Sequence, residues 1–321
     1  MNYIIPLLSL NSKRLPESFR RISLGMVVML LTLSTSSPAT AQLFSGVESG
    51  AGLNFMHNDG VDVDSNNGMF MMNVGTGAVW FDYDNDGDLD IYVTQRNDGV
   101  SNLRNILFEN NGDGTFTDVT TARGAEDSAH QGCGVAAADY DNDGDEDLYL
   151  ANCDEDVLLH NELMETGNPN FSDSTNTAFG TTALVPERGH SASWGDWNGD
   201  GWPDIYVADH MNINGGANSS QDYLFTNNGN GTFTDDSAKL ATDADGDSVI
   251  DNTGFGFIGV FTDFDNDGDQ DIYLANDCPF GIGQGFGRTE DNKLWQNNGD
   301  GTFTEISDTI GPLTTTGKDA N

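Results

Sequence analysis

The chain has 321 residues, the size of two domains or one large repeat array. It carries 52 acidic and 12 basic residues, a formal net charge of −40, with 39 glycines and 36% hydrophobic residues. This excludes nucleic-acid binding through a basic face and argues against a long helical bundle, which so much glycine would break.

The N-terminus reads as an export signal. Lys13, Arg14, Arg20 and Arg21 form a basic region ahead of an apolar stretch over residues 22–33. That stretch is too short to span a bilayer comfortably. Ala39-Thr40-Ala41 fits a signal-peptidase site, so a signal peptide over residues 1–41 is expected, with cleavage after Ala41. The pair Arg20-Arg21 leaves Sec and twin-arginine export both open, and an uncleaved anchor is the alternative. Export would place the protein outside the cell, or in the periplasm or on the surface of a bacterium. Thiols oxidise there and calcium is usually plentiful. Losing residues 1–41 would remove four basic residues and one acid, leaving the rest still more negative. No later segment is apolar enough to span a membrane.

Low hydrophobicity with high net charge is also the composition of disorder. The placement of the acids argues otherwise, because they recur in tight clusters. Residues 79–93, 136–150, 193–207 and 260–274 align on one nine-residue pattern, Asp-x-Asp/Asn-x-Asp-Gly-x-x-Asp. The first aspartates are Asp82, Asp139, Asp196 and Asp263, at spacings of 57, 57 and 67. A second element follows in residues 107–120, 224–235 and 294–305, built on Asn-Asn-Gly-Asp/Asn-Gly-Thr-Phe-Thr. The second unit keeps only the frame, Leu159-His160-Asn161 and Phe171-Ser172-Asp173. Asn-Gly-Asp-Gly between short apolar runs is a hairpin signal, since Asn and Gly tolerate positive φ.

Each unit therefore reads as four strands. One runs into the acidic loop, one leaves it as Ile/Leu-Tyr-Val/Leu, and two form the hairpin. Four short antiparallel strands per repeat predict an all-β protein, a β-propeller with blades at about 75–120, 132–176, 191–237 and 256–307. No amphipathic helix is evident after residue 41.

The loops have the chemistry of a calcium site. Asp82, Asp84, Asp86 and Asp90 place carboxylates at alternating positions, with Gly87 at position six for the turn. Two unit charges about 4 Å apart repel by roughly 4 kcal/mol at an effective dielectric near 20, so the cluster needs a cation. Hard oxygens in this number suit Ca²⁺ better than rigidly octahedral Mg²⁺. Position seven, Asp88 here, would offer its backbone carbonyl. An EF-hand needs a bidentate Glu at position twelve, where these loops have Val93, Leu150, Val207 and Leu274. A solvated acidic turn without metal is the competing account, and four copies in register weigh against it. The third loop is the weakest, with Asn198 at position three and Trp202-Pro203 before Asp204. Residues 243–251 are either a further calcium loop or a plain polar insertion.

These loops and hairpins resemble FG-GAP/VCBS repeats, the calcium-binding blades also seen in integrin α-chain heads, and most of all those of the ASPIC/UnbV (cartilage acidic protein) group. The resemblance covers residues 42–321. It implies that loop positions one, three, five, seven and nine are the ligands, about one Ca²⁺ per loop. Those are Asp82, Asp84, Asp86, Asp88 and Asp90; Asp139, Asp141, Asp143, Asp145 and Asp147; Asp196, Asn198, Asp200, Trp202 and Asp204; and Asp263, Asp265, Asp267, Asp269 and Asp271. The departures are Asn198 and Thr94, and no C-terminal ASPIC/UnbV domain is evident.

Residues 44–52 match residues 116–124, so they read as an outer strand whose own blade is missing. Residues 317–321 look like the approach to a fifth unit. A fragment of a longer protein, completed by further C-terminal blades, is the expectation; four-bladed closure and completion by another chain are the alternatives.

Cys133 and Cys153 flank Asp143 symmetrically, ten residues to either side, which predicts either a disulfide or two buried thiols, with Cys278 left over. His57, His130, His160, His190 and His210 show no metal or catalytic spacing. His190-Ser191 near Asp196 lacks a nucleophile elbow. Carboxylates repeated four times speak for structure rather than for a single active site. Trp80, Trp194, Trp197, Trp202 and Trp295 could stack on sugars, but their places within repeats favour core packing. The expected function is a secreted, calcium-stabilised binding or adhesion module without catalysis, for a protein or glycan ligand. A glycan-binding lectin or the accessory part of a polysaccharide-active enzyme is the alternative.

Overall fold

A computed structural model describes residues 50–53, 55, 76–95, 104–180, 189–209, 220–241, 253–254, 256–276 and 292–307. The export signal, residues 44–49, residues 243–251, His57, His210, Cys278 and residues 317–321 lie outside the described residues.

The first blade comprises β1 (Ala78–Phe81), β2 (Asp90–Val93), β3 (Ile106–Asn110) and β4 (Phe116–Asp118), followed by a single helical turn, α1 (Thr120–Arg123). The second comprises β5 (Gly132–Ala138), β6 (Asp147–Asn152), β7 (Val157–Asn161) and β8 (Phe171–Asp173). Its hairpin holds α2 (Leu163–Thr166), and α3 (Thr175–Phe179) follows. The third has β9 (Gly189–Gly195) and β10 (Asp204–Asp209), then β11 (Ser220–Gln221) outside the blade, then β12 (Tyr223–Asn227) and β13 (Phe233–Asp235). After β14 (Thr253–Gly254), the fourth blade comprises β15 (Gly256–Thr262), β16 (Asp271–Asn276), β17 (Lys293–Asn297) and β18 (Phe303–Glu305).

Each blade is one four-stranded antiparallel sheet in simple up-and-down order, as the repeat requires. The acidic loop closes the first two strands in each, with Phe81 opposite Asp90, Ala138 opposite Asp147, Gly195 opposite Asp204 and Thr262 opposite Asp271. A two-stranded sheet of β11 and β14 lies outside the blades and has no counterpart among the described residues of the other units.

The core sits between blades, because the second strand of each unit points alternate side chains to opposite faces. Leu148 and Leu150 join Phe81, Tyr83, Tyr92 and Leu107 of the first blade. Tyr149 and Ala151 face the other way, onto Ile205 and Val207 of the third. Tyr206 and Ala208 meet Ile272, Leu274 and Trp295 of the fourth. This two-sided burial explains why these strands read as unbroken apolar runs rather than alternating ones. The innermost strands pack in succession, β1 on β5, β5 on β9 and β9 on β15, and among the described residues the ring is not closed.

Ala51 and Leu53 sit on the first blade as Arg123 to Ala125 sit on the second. A Cβ on Gly52 would lie 2.5 Å from the Phe116 carbonyl oxygen, and one on Gly124 would lie 2.9 Å from that of Phe171. Both glycines have positive φ, 85° and 69°. Ala125 is buried between the first two blades, and Leu53 packs against Ile91, Val93, Ile106 and Phe108 on the opposite face of the first.

Cys133 and Cys153 are joined as a disulfide, Cα atoms 5.7 Å apart, where a register shift between Gly132 and Gly134 bulges β5. Trp197 and Trp295 are core residues, but Trp80 is 58% exposed. It stands on β1, the innermost strand of the first blade, and meets only Phe116 among the described aromatic rings.

Candidate metal centre

All four acidic loops share one backbone conformation. Position four is left-handed in each, at Asn85 (φ 57°), Asn142 (57°), Gly199 (70°) and Asn266 (62°), and the glycine at position six follows it. The resulting curl turns the amides of positions five and six onto the carboxylate of position one. Asp82 accepts from Asp86 and Gly87 (3.0 and 3.0 Å). Asp139 accepts from Asp143 and Gly144 (3.0 and 3.0 Å), and Asp196 from Asp200 and Gly201 (3.0 and 2.8 Å). Asp263 accepts from Asp267 and Gly268 (3.1 and 3.3 Å).

Position nine is the buried anchor. Asp90, Asp147, Asp204 and Asp271 are at most 1% exposed. One oxygen of each accepts the amide of position two, from Tyr83, Tyr140, Trp197 and Phe264. The other accepts the amide of the hairpin asparagine, Asn110, Asn161, Asn227 or Asn297, at 2.7–2.8 Å. Burial pushes the carboxyl groups up, Asp90 and Asp204 to about 7 and Asp147 to about 6. Asp84 and Asp141 are also raised, by burial and then by the carboxylate at position five.

Three loops gather three carboxylates each, one oxygen of each residue within 4.8 Å of the others. These are Asp82, Asp84 and Asp86; Asp139, Asp141 and Asp147; and Asp263, Asp265 and Asp271. The third loop gathers no such triad among the described residues, and Asn198 donates to Asp200 at 3.0 Å instead. The donor set is hard oxygen, and the buried Asp141 Oδ1 has no hydrogen-bond donor. Both features fit Ca²⁺ held by positions one, three, five and nine. Position seven varies. Asp88 is exposed, Asp269 and Trp202 lie over the hairpin glycines Gly299 and Gly229, and Asp145 is buried.

The loops are tied to one another. Asn85 donates its side-chain amide to the Gly144 carbonyl (2.9 Å), and Asn142 donates to that of Gly201 (3.0 Å). Glu146 accepts the Asp82 amide at 2.9 Å. His160, which no spacing in the sequence marks, lies beside the second loop. Its Nδ1 is 3.0 Å from Asp147 Oδ1 and 3.8 Å from Asp141 Oδ2. The signal that could have found it is its place before the hairpin asparagine, where Gln296 of the fourth unit reaches Asp265 at 2.6 Å. His190 and Ser191, by contrast, hold β15: His190 Nδ1 is 3.0 Å from the Phe257 carbonyl, and Ser191 Oγ accepts from Gly259.

The FG-GAP-like repeat family matches residues 82–150, 150–207 and 263–320, more than half of the sequence and each starting or ending on an acidic loop or the strand that leaves it. The chain belongs to the FG-GAP-like repeat family. Human cartilage acidic protein 1 is a relative, 27% identical over 172 residues that make up 54% of this chain and 24% of that protein. The chain thus spans about a quarter of the length of that curated relative. Two solved structures are similar. A lectin from Agrocybe aegerita that recognises non-reducing terminal N-acetylglucosamine is 20% identical, with a TM-score of 0.39, 77% of this chain covered and 54% of the lectin. An exotype rhamnogalacturonan lyase is 14% identical, with a TM-score of 0.37, 72% of this chain covered and 38% of the lyase. Among the described residues, no helix is long and apolar enough to cross a membrane.

Proposed function

We propose that this FG-GAP-like repeat protein is a secreted, calcium-binding module that acts by binding or adhesion and not by catalysis. The repeated convergence of carboxylates in loops of one backbone conformation carries the reading. A bound Ca²⁺ would supply positive charge to acids that otherwise repel. Positions one, three, five and nine would hold it, and the loop joins the inner two strands of each blade, so occupancy would brace the blade. The acids recur from unit to unit, which suits a structural role. His190 and Ser191 are engaged in inter-blade contacts rather than with each other.

The test is calcium binding by the stripped protein, read by calorimetry and thermal melting. Saturable binding of several ions with a raised melting temperature is the expected result. Retained β-structure with no bound ion would refute it. The exposed Trp80 favours one other reading, a glycan-binding lectin or an accessory part of a polysaccharide-active enzyme. A glycan array probed with calcium-loaded wild type and Trp80→Ala distinguishes the two.

A further inference from the structure

The second blade departs from its neighbours in a way the loop pattern does not explain. Elsewhere, the side chain at position seven lies over a hairpin glycine. A Cβ on Gly112 would come within 2.8 Å of Asp88 Oδ2, and one on Gly299 within 2.5 Å of Asp269 Oδ2. The second unit lacks the Asn-Gly-Asp-Gly hairpin and has the turn α2 in its place. There Asp145 is 1% exposed. Its Oδ2 accepts the Met164 amide at 2.8 Å, and its Oδ1 is buried with no hydrogen-bond donor. Asp143 Oδ2 is likewise buried and without a donor. Glu165, the next residue of α2, brings a third carboxylate. One oxygen from each of Asp143, Asp145 and Glu165 lies within 4.8 Å of the other two.

We infer that the second blade holds an additional divalent cation beside the loop ion, bound by Asp143 and Asp145 of the acidic loop and Glu165 of α2. The inference rests on the proposal that the loops bind calcium, since Asp143 would bridge the loop ion and this one. Three carboxylates form an all-oxygen set, and Glu165 is half exposed, so water can complete the six to eight oxygens Ca²⁺ takes. His160 is a positioning residue here. Its two ring nitrogens lie 3.0 Å from Asp147 Oδ1 and 3.2 Å from Glu165 Oε1, so one imidazole spans both sites. The first, third and fourth units have glycine-rich hairpins where Glu165 stands, which confines the extra site to the second blade.

The experiment counts Ca²⁺ bound to the full chain by equilibrium dialysis and native mass spectrometry, comparing wild type with Glu165→Gln. Loss of one ion, with the remaining affinities changed less than about twofold, is the expected result. Glu165→Lys gives a second readout. It places an ammonium group where the cation would sit, so stripped Glu165→Lys should melt several degrees above stripped wild type. An unchanged ion count in Glu165→Gln overturns the inference. So does a stripped Glu165→Lys that melts no higher than wild type. Wild type that binds no calcium at all overturns the loop reading as well, so the two failures are distinguishable.

Discussion

Asn161 donates its side-chain amide to the Tyr83 carbonyl, 2.7 Å away, from the hairpin of one blade into the acidic loop of the blade before. The contact repeats at Asn227 to Tyr140 and Asn297 to Trp197, both 2.7 Å. The same asparagine gives its backbone amide to position nine of its own loop. One residue thus ties the acidic loops of two consecutive blades. Asn161→Ala would strand the Tyr83 carbonyl in a fully buried place, at a cost of about 1–3 kcal/mol. A urea denaturation midpoint lowered accordingly, in calcium and without it, is the expected outcome.

Asp86 and Asp88 should behave differently. Asp86 belongs to the carboxylate triad of the first loop, whereas the Asp88 side chain is exposed and outside it. A ligand present at a hundred times its dissociation constant stabilises the folded state by about 2.7 kcal/mol per site. Asp86→Ala should forfeit much of that contribution at the first loop. Asp88→Ala should stay within about 0.5 kcal/mol of wild type, as surface substitutions do. Paired melts of both variants, calcium-loaded and stripped, measure the difference.

The strand order and the loop boundaries were legible because all four repeats state them in one motif, and the hairpins because three of the four do. Of the match of residues 44–52 to 116–124, only residues 50–52 are described, and there Gly52 and Gly124 have equivalent seats. What hid was everything that depends on neighbouring blades. Nothing local in Asn161 shows that its partner lies 78 residues earlier. A recurring acid-x-hydroxyl step follows the fourth strand of each unit. Thr120, Thr175, Ser237 and Ser307 each accept a backbone amide from the third strand, at Leu107, Leu158, Leu224 and Leu294. Asp118, Asp173, Asp235 and Glu305 stand two residues before them, so a second alignment of the repeats carried the signal. His160 and Glu165 were obscured for another reason. They occupy the one hairpin that departs from the repeat, where alignment has nothing to compare.

The stripped protein should be more stable in mild acid than at neutral pH. Asp90 and Asp204 are held near 7 and Asp147 near 6 by burial, above the roughly 3.9 of an unfolded aspartate. A raised carboxyl favours folding while it is protonated. Its contribution is fully present below about pH 4 and is lost as pH rises through 6 to 7. His160 is raised to about 9, chiefly by its hydrogen bond to Asp147, so its contribution is also lost as pH rises, between about 6.5 and 9. The melting temperature of stripped protein should therefore fall from pH 5 to pH 8. The increment produced by calcium should grow over the same range, because the ion and the proton compete for the same oxygens. Asp204→Asn, which cannot ionise, should show a flatter profile. A stripped profile rising toward pH 8 would contradict the burial argument.

Reducing the disulfide should weaken the second blade without touching its loop. The bridge joins cysteines 20 positions apart in sequence, and a loop of that size is worth about 3 kcal/mol of chain entropy. Melts with and without a phosphine reductant, and of Cys133→Ser, should show the drop at unchanged calcium stoichiometry.

Gly134 offers a test of the blade interface that is independent of charge. It stands in β5, and its Cβ would meet the His190 carbonyl oxygen at 2.6 Å. That atom belongs to the backbone of β9, so it cannot rotate away as a side chain would. Gly134→Ala must push two blades apart or distort one strand, a strain of about 1–3 kcal/mol for overpacking. The loss should be equal in calcium-loaded and stripped protein, since Gly134 and His190 stand near the starts of β5 and β9, whose other ends lead into the acidic loops. Chemical denaturation of Gly134→Ala under both conditions checks it. A deficit that calcium repaired would mean the loops, and not the contact between inner strands, set the spacing of the blades.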